Sequence, residues 1–184
     1  MVLRALLLGL VLVACRPAHT ASVPPLVLHD TAGGTASFPA VLAESKATAV
    51  VFYSDHCPCF RAHEERIKEI ARDYAGRGVK LLLVDSEVDA TAERDAKATE
   101  RGLPPVVLDP GAKLADAVGA DYATYTVVFD AEGRIRYRGG IDTDKNQPTA
   151  GATPYLRDAL DDLVAGKEPR RSEGKALGCA LQKQ

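Results

Sequence analysis

The stretch Ala49-Val50-Val51-Phe52-Tyr53-Ser54-Asp55-His56-Cys57-Pro58-Cys59-Phe60-Arg61 limits the possible folds of this chain more than any other. An apolar run of β-branched and aromatic residues gives way to a short polar turn. Two cysteines flanking a proline follow, and then a charged, helix-forming stretch that reaches about Tyr74. The order is buried strand, turn, sulfur, helix start. Proline suits the first turn of a helix, where its missing N–H is not needed. Cys57 is therefore expected at or just before the helix N-terminus, where unpaired N–H groups and the helix dipole favour negative charge. A thiol placed there ionises more readily, and the thiolate is both the nucleophile and the metal ligand. Packing as small hydrophobes is the plainer reading of two cysteines. It explains poorly why both stand at a strand-to-helix switch in a chain with only four cysteines.

The rest of the chain alternates strands with helices. Leu26–Leu28 and Thr35–Phe38, joined through Gly33-Gly34, predict an N-terminal hairpin. Pro39–Lys46 reads as a short helical turn, and Thr48–Tyr53 as the central strand. Ile67, Ile70, Ala71 and Tyr74 recur at helical spacing after Pro58, and Gly76 and Gly78 end that helix. Val79–Val84 is almost continuously apolar, as in a strand covered on both faces. Asp89–Arg101 predicts a second helix, Pro104–Leu108 a short strand, and Ala112–Val118 a short helix. Thr126–Phe129 and Arg134–Arg138 predict a hairpin, and Thr153–Leu163 a last helix with Thr153 as its N-cap. This pattern implies an α/β sandwich around a central mixed sheet. In such sheets, ligand and reaction sites form at the carboxyl ends of the strands.

The N-terminal residues carry a different message. Met-Val-Leu-Arg precedes an apolar run, Ala5 to Val13, too short to span a bilayer as a helix but suited to the core of a signal peptide. It ends in Leu12-Val13-Ala14-Cys15, which resembles the lipobox of bacterial lipoproteins and implies cleavage before Cys15 and lipidation of its sulfur. The expectation is an exported protein, lipid-anchored in the bacterial cell envelope. Residues 16–25 are small and proline-rich, as in a tether. Twenty-five acidic against 23 basic residues, with no basic patch, leave nucleic acid without support as a partner. With Cys15 lipidated, Cys57, Cys59 and Cys179 remain. Three thiols cannot all pair within one chain, which suits an exchanging site better than structural staples.

Val-Val-Phe-Tyr-Ser-Asp-His-Cys, followed by the segments Val79–Asp85, Leu103–Pro110 and Val127–Gly140 in that order, resembles the thioredoxin superfamily and its redoxin branch. Gly178-Cys179 is similar to a Gly-Cys signature in a subset of bacterial redoxin-domain proteins. The resemblance implies a thioredoxin-like sandwich with an N-terminal hairpin. The implied organisation is a lipoprotein signal peptide over 1–14, a tether over 15–25, a redoxin domain over 26–166, and a flexible tail over 167–184 that carries Cys179. Two departures from the pattern stand out. Cys57 and Cys59 are separated by Pro58 alone, and Tyr125 stands where the superfamily has a cis-proline, so a trans bond is expected there.

The leading functional reading is thiol–disulfide exchange on protein or small-molecule substrates, with no cofactor. Cys57 is the nucleophile, and Cys59 or Cys179 resolves the mixed disulfide. A Cys57–Cys59 disulfide closes a tight, strained ring. His56 and Tyr125 are candidate supporting residues. The alternative is a Cu(I)- or metal-binding protein using Cys57, Cys59 and His63, the last one helical turn beyond Cys59. Sco-type copper chaperones share the fold but space their cysteines by three residues. A peroxidase reading matches Ser54, three residues before Cys57, but has Val50 where peroxiredoxins place proline.

Overall fold

The computed structural model describes residues 25–183. The expected signal peptide, the lipidated Cys15 and all but the end of the tether lie outside the described residues. The elements run β1 Val27–Asp30, β2 Thr35–Ser37, α1 Phe38–Ala43, β3 Ala47–Tyr53, α2 Pro58–Ala75, β4 Val79–Asp85, α3 Ala92–Glu100 and β5 Val106–Leu108. A 3₁₀ turn, Pro110–Ala112, leads to α4 Lys113–Val118, β6 Thr126–Asp130, β7 Ile135–Gly139 and α5 Tyr155–Val164. Seven strands form one sheet in the order β2-β1-β5-β4-β3-β6-β7. The strands β3, β4 and β5 are parallel, whereas β1, β6 and β7 join antiparallel, so the sheet is mixed as expected. This is the thioredoxin-like sandwich. Among the described residues no helix is long and apolar enough to cross a membrane.

Every residue of β3 is buried. A parallel strand in the middle of a sheet covered on both faces has no wet side. Burial of each large apolar side chain there contributes roughly 1.5–3 kcal/mol. Phe60, from the first turn of α2, meets Tyr53 edge-to-face with ring centroids 4.9 Å apart. Ile67, Ile70 and Tyr74 continue the same buried stripe. The start of α2 is thereby pinned to the end of β3, which holds the two cysteines still.

Two boundaries differ from the sequence expectation, each for a local reason. The helix expected from Asp89 begins only at Ala92, because Ala90 N–H turns back to the Glu87 carbonyl and Thr91 caps the helix by accepting from Arg94 N–H at 3.2 Å. The last helix starts at Tyr155, with Pro154 rather than Thr153 at the cap. Leu156 N–H there donates to the Ile141 carbonyl at 3.0 Å, doing what a threonine cap would have done.

The segment after Gly166, expected to be a flexible tail, is seated on the domain, and this corrects the expectation as far as its placement goes. Arg138 N–H donates to the Ser172 carbonyl and Gly174 N–H donates back to the Arg138 carbonyl, each at 3.0 Å, which ties the segment to β7. Farther on, Ala123 N–H donates to the Cys179 carbonyl and Leu181 N–H to the Asp121 carbonyl, both at 2.9 Å, while Val88 N–H donates to the Gln182 carbonyl at 2.8 Å. Leu181 is buried. Backbone pairing is invisible to composition, which is why a charged, glycine-spaced stretch reads as loose.

Candidate functional site

Cys57 is the N-cap residue of α2. Its backbone is extended, and its Sγ accepts from Phe60 N–H at 3.4 Å, the place a serine or aspartate oxygen takes in an ordinary cap. Pro58 follows at the first helical position, and Cys59 lies one residue on. Both thiols are buried and unpaired in any disulfide. The seated C-terminal segment brings in the third. The sulfur atoms of Cys57, Cys59 and Cys179 all lie within 4.8 Å of one another.

The three thiols are not equivalent. Burial raises the pKa of Cys59, and charge on Cys57 raises it further. Cys179 is pushed up to about 12, first by burial and then by its hydrogen bond to Cys57 and the charge there. Cys179 is therefore harder to ionise than an ordinary thiol. The Phe60 amide at the helix start donates to the Cys57 sulfur, and the Cys59 backbone acts against the rise at Cys179.

A cleft of about 400 Å³ opens over Cys57, lined by Ser54, His56, Glu87, Val88, Cys179 and Gln182 among others. Glu87 is the residue that the sequence reading missed. It lies two residues past the end of β4, is buried, and leaves Oε2 without a hydrogen-bond partner. Burial raises its pKa, against the nearby Ser54 hydroxyl, which favours the carboxylate. The signal was available: an acidic residue just past the carboxyl end of a central strand sits where such sheets build their sites.

The other candidates fall elsewhere. His56 lines the cleft but is mostly exposed, and its Nε2 faces Asp89 at 3.4 Å. Tyr125 is half-buried against Phe52, ring centroids 6.3 Å apart, and does not line the cleft. Its peptide is trans, as expected, and the preceding Thr124 takes up the turn with φ of 72°. Asp55 is kept from opposing the thiols by its own partners. Burial works against its charge, but Tyr53, Arg61 and Arg101 together hold its carboxyl below the ordinary range.

His63 is the clearest correction. It is buried, and both ring nitrogens are engaged: Nδ1 with the Cys59 carbonyl at 2.8 Å and Nε2 with Asp142 Oδ1 at 3.3 Å. Neither nitrogen is left to join Cys57 and Cys59 around a metal. The metal-capable set among the described residues is Cys57, Cys59 and Cys179. Helical spacing placed His63 near Cys59 correctly, but Asp142, far along the chain, claims the ring.

Comparison with known proteins bears on the whole arrangement. Residues 18–153 match the family described as Redoxin. No curated protein is similar to the chain. A hypothetical protein from Sinorhizobium meliloti 1021 is 27% identical, with 89% of this chain and 93% of that one covered and a TM-score of 0.79. An uncharacterized conserved protein from Geobacillus kaustophilus has the same TM-score of 0.79 at 24% identity, with 89% and 90% covered. The pneumococcal exposed lipoprotein thioredoxin from Streptococcus pneumoniae strain TIGR4 shares the fold at a TM-score of 0.55 and 22% identity, with 74% and 98% covered.

Proposed function

The chain belongs to the redoxin family of the thioredoxin superfamily, and we propose that it is a thiol–disulfide oxidoreductase in which Cys57 attacks and Cys179 resolves. The observation that carries this reading is the placement of the Cys179 sulfur beside that of Cys57 by a hydrogen-bonded segment. Cys57 attacks one sulfur of a substrate disulfide. The substrate S–S bond breaks, its other sulfur leaves as a thiolate that takes a proton, and a Cys57–substrate mixed disulfide remains. That step also removes the charge on Cys57 and the acceptor for the Cys179 proton, two of the causes that raise the Cys179 pKa. Cys179 thus becomes easier to ionise at the step that needs its thiolate. It attacks Cys57, releases the second substrate sulfur as a thiol, and leaves a Cys57–Cys179 disulfide. The substrate gains the two electrons that the protein loses. Run backwards, the same disulfide oxidises a dithiol.

Cys179 is preferred to Cys59 as resolver because a ring closed across Pro58 alone is strained, whereas Cys179 approaches from a separate segment. Insulin reduction with dithiothreitol, combined with mass mapping of the products, tests this. Cys57→Ser is expected to abolish turnover, and Cys179→Ser to accumulate a Cys57 mixed disulfide. A Cys57–Cys59 disulfide as the dominant oxidised form would overturn the assignment of Cys179.

The proposal extends to location. Leu12-Val13-Ala14-Cys15 supports a lipid anchor on Cys15 that holds the redoxin domain on the outer side of a bacterial membrane. Cys15→Ser is expected to stop incorporation of labelled palmitate and to release the protein from the membrane fraction. Full membrane retention of that variant would defeat the anchor.

A further inference from the structure

The exchange described above uses two thiols, yet a third is buried beside them. Cys59 sits in the first turn of α2, and its sulfur is within 4.8 Å of both the others. We propose that the reduced protein binds one Cu(I) ion through the sulfurs of Cys57, Cys59 and Cys179. The reading is independent of exchange, because it needs only the reduced sulfurs and no substrate.

The donor set points to this ion. Three thiolates and no hard ligand form a soft site, which selects Cu(I) or Zn(II) among common metals. Closed zinc sites take four protein ligands in a tetrahedron. Among the described residues only three metal-capable groups meet here, and His63, the nearest imidazole in sequence, has both nitrogens engaged. A monovalent soft ion in a plane of three sulfurs fits what is present. Metal–sulfur bonds of about 2.3 Å place sulfurs in a trigonal site roughly 4 Å apart, so the cluster needs little contraction.

The supports of the site are already built. Cys57 and Cys59 are fixed by the start of α2 and by Phe60 packing on Tyr53. Cys179 is held by the bond from Ala123 N–H to its own carbonyl and by that from Leu181 N–H to Asp121. The Phe60 amide already donates to the Cys57 sulfur and partly offsets its negative charge. Binding forms three Cu–S bonds, one to the Cys57 thiolate and two to the sulfurs of Cys59 and Cys179, whose two thiol protons are released to solvent, with no change in the oxidation state of copper. Oxidation of Cys57 and Cys179 to a disulfide removes two of the three ligands. Metal loading and disulfide exchange are therefore mutually exclusive uses of the same sulfurs, and the redox state of the protein decides which is available.

The test is an anaerobic titration of the fully reduced full-length protein with Cu(I), using bicinchoninate as the competing chromophore. One Cu(I) per chain is expected, with X-ray absorption at the copper edge showing sulfur neighbours only. Loss of an outer-shell partner alone costs roughly 10- to 100-fold in metal affinity, so Cys59→Ser and Cys179→Ser are each expected to weaken binding at least about a hundredfold. His63→Gln is expected to stay within about threefold of the wild type. Oxidation to the Cys57–Cys179 disulfide abolishes binding, and reduction restores it. Reduced protein that leaves Cu(I) with bicinchoninate, a Cys59→Ser variant that binds like the wild type, or a preference for Zn(II) over Cu(I) would each overturn the proposal. Disulfide turnover by the metal-free protein is scored separately. Turnover without Cu(I) binding sinks the metal site alone, and Cu(I) binding without turnover sinks the exchange reading alone.

Discussion

His63 stands one helical turn from Cys59, and its environment gives it a structural task. Both of its partners, the Cys59 carbonyl and the Asp142 carboxylate, are acceptors. Only the doubly protonated ring can donate to both. Burial alone would lower its pKa, but the Asp142 bond and the Cys59 carbonyl outweigh it and leave the pKa above the ordinary value. Asp142 also receives Arg66, so one buried carboxylate anchors two cations of α2 to the loop after β7. Removing it leaves a buried imidazolium without its counter-charge, and breaking such a pair typically costs about 3–5 kcal/mol. Asp142→Ala is expected to lower stability by about 3 kcal/mol in urea unfolding at pH 6, with Asp142→Asn intermediate because its amide oxygen can still accept from His63. A loss below about 1 kcal/mol for Asp142→Ala would show that the pair is not holding α2 in place.

At the scale of elements, the segment from Ser172 to Lys183 decides whether there are two sulfurs at the site or three. It fits because Gly178 lies against the main chain of the α4–β6 loop. A Cβ on residue 178 would stand 1.8 Å from the Ala123 carbonyl oxygen, on backbone that cannot step aside. Gly178→Ala is therefore expected to unseat Cys179 and slow formation of the Cys57–Cys179 disulfide at least about tenfold. The sheet loses none of its pairing, so the unfolding transition stays cooperative. An unchanged rate of disulfide formation would mean that the segment does not present the thiol. The same segment marks the limit of what the sequence could reveal. The strand, turn and helix around Cys57 were legible because burial of β3 and the N-terminal proline of α2 follow from local pattern. The mixed sheet followed from the alternation of strands and helices, but its strand order did not. The partners of His63 and the docking of Cys179 were not legible, because both depend on contacts across long separations. Gly178-Cys179 was noticed only as a resemblance, and its physical reason, a glycine pressed on a carbonyl, appears only in the folded chain.

For the whole molecule, two buried clusters flank the site and push pH dependence the same way. Asp85, the last residue of β4, and Asp95 of α3 are both buried and share one guanidinium, that of Arg94. Burial is the main reason that Asp85 is raised to about 7, and the neighbouring Asp95 charge adds to it despite Arg94. Asp95 is raised too, again first by burial, and its Oδ2 lacks a partner unless a proton is shared toward Asp85. On the other side His63 is raised above its ordinary value. A group whose folded pKa exceeds its unfolded value stabilises fully below the unfolded pKa and loses that contribution as pH rises through the folded one. The acidic cluster thus loses its contribution from about pH 4 to about 7, and His63 loses its own above about pH 6.5. In the opposite sense, Asp55, Asp130 and Asp142 have lowered pKa values, so their contributions disappear as pH falls below about 4. Stability is therefore expected to peak in mildly acidic solution and to fall between pH 5 and pH 8, at up to about 1.4 kcal/mol per pH unit for each proton involved. Asp95→Asn removes one of the two competing charges and supplies an amide that can donate to Asp85. That variant is expected to melt higher than the wild type at pH 8, with a smaller difference between pH 5 and pH 8. A wild-type melting temperature that rises from pH 5 to pH 8, or an Asp95→Asn variant with the full wild-type slope, would remove the buried acidic pair as the source.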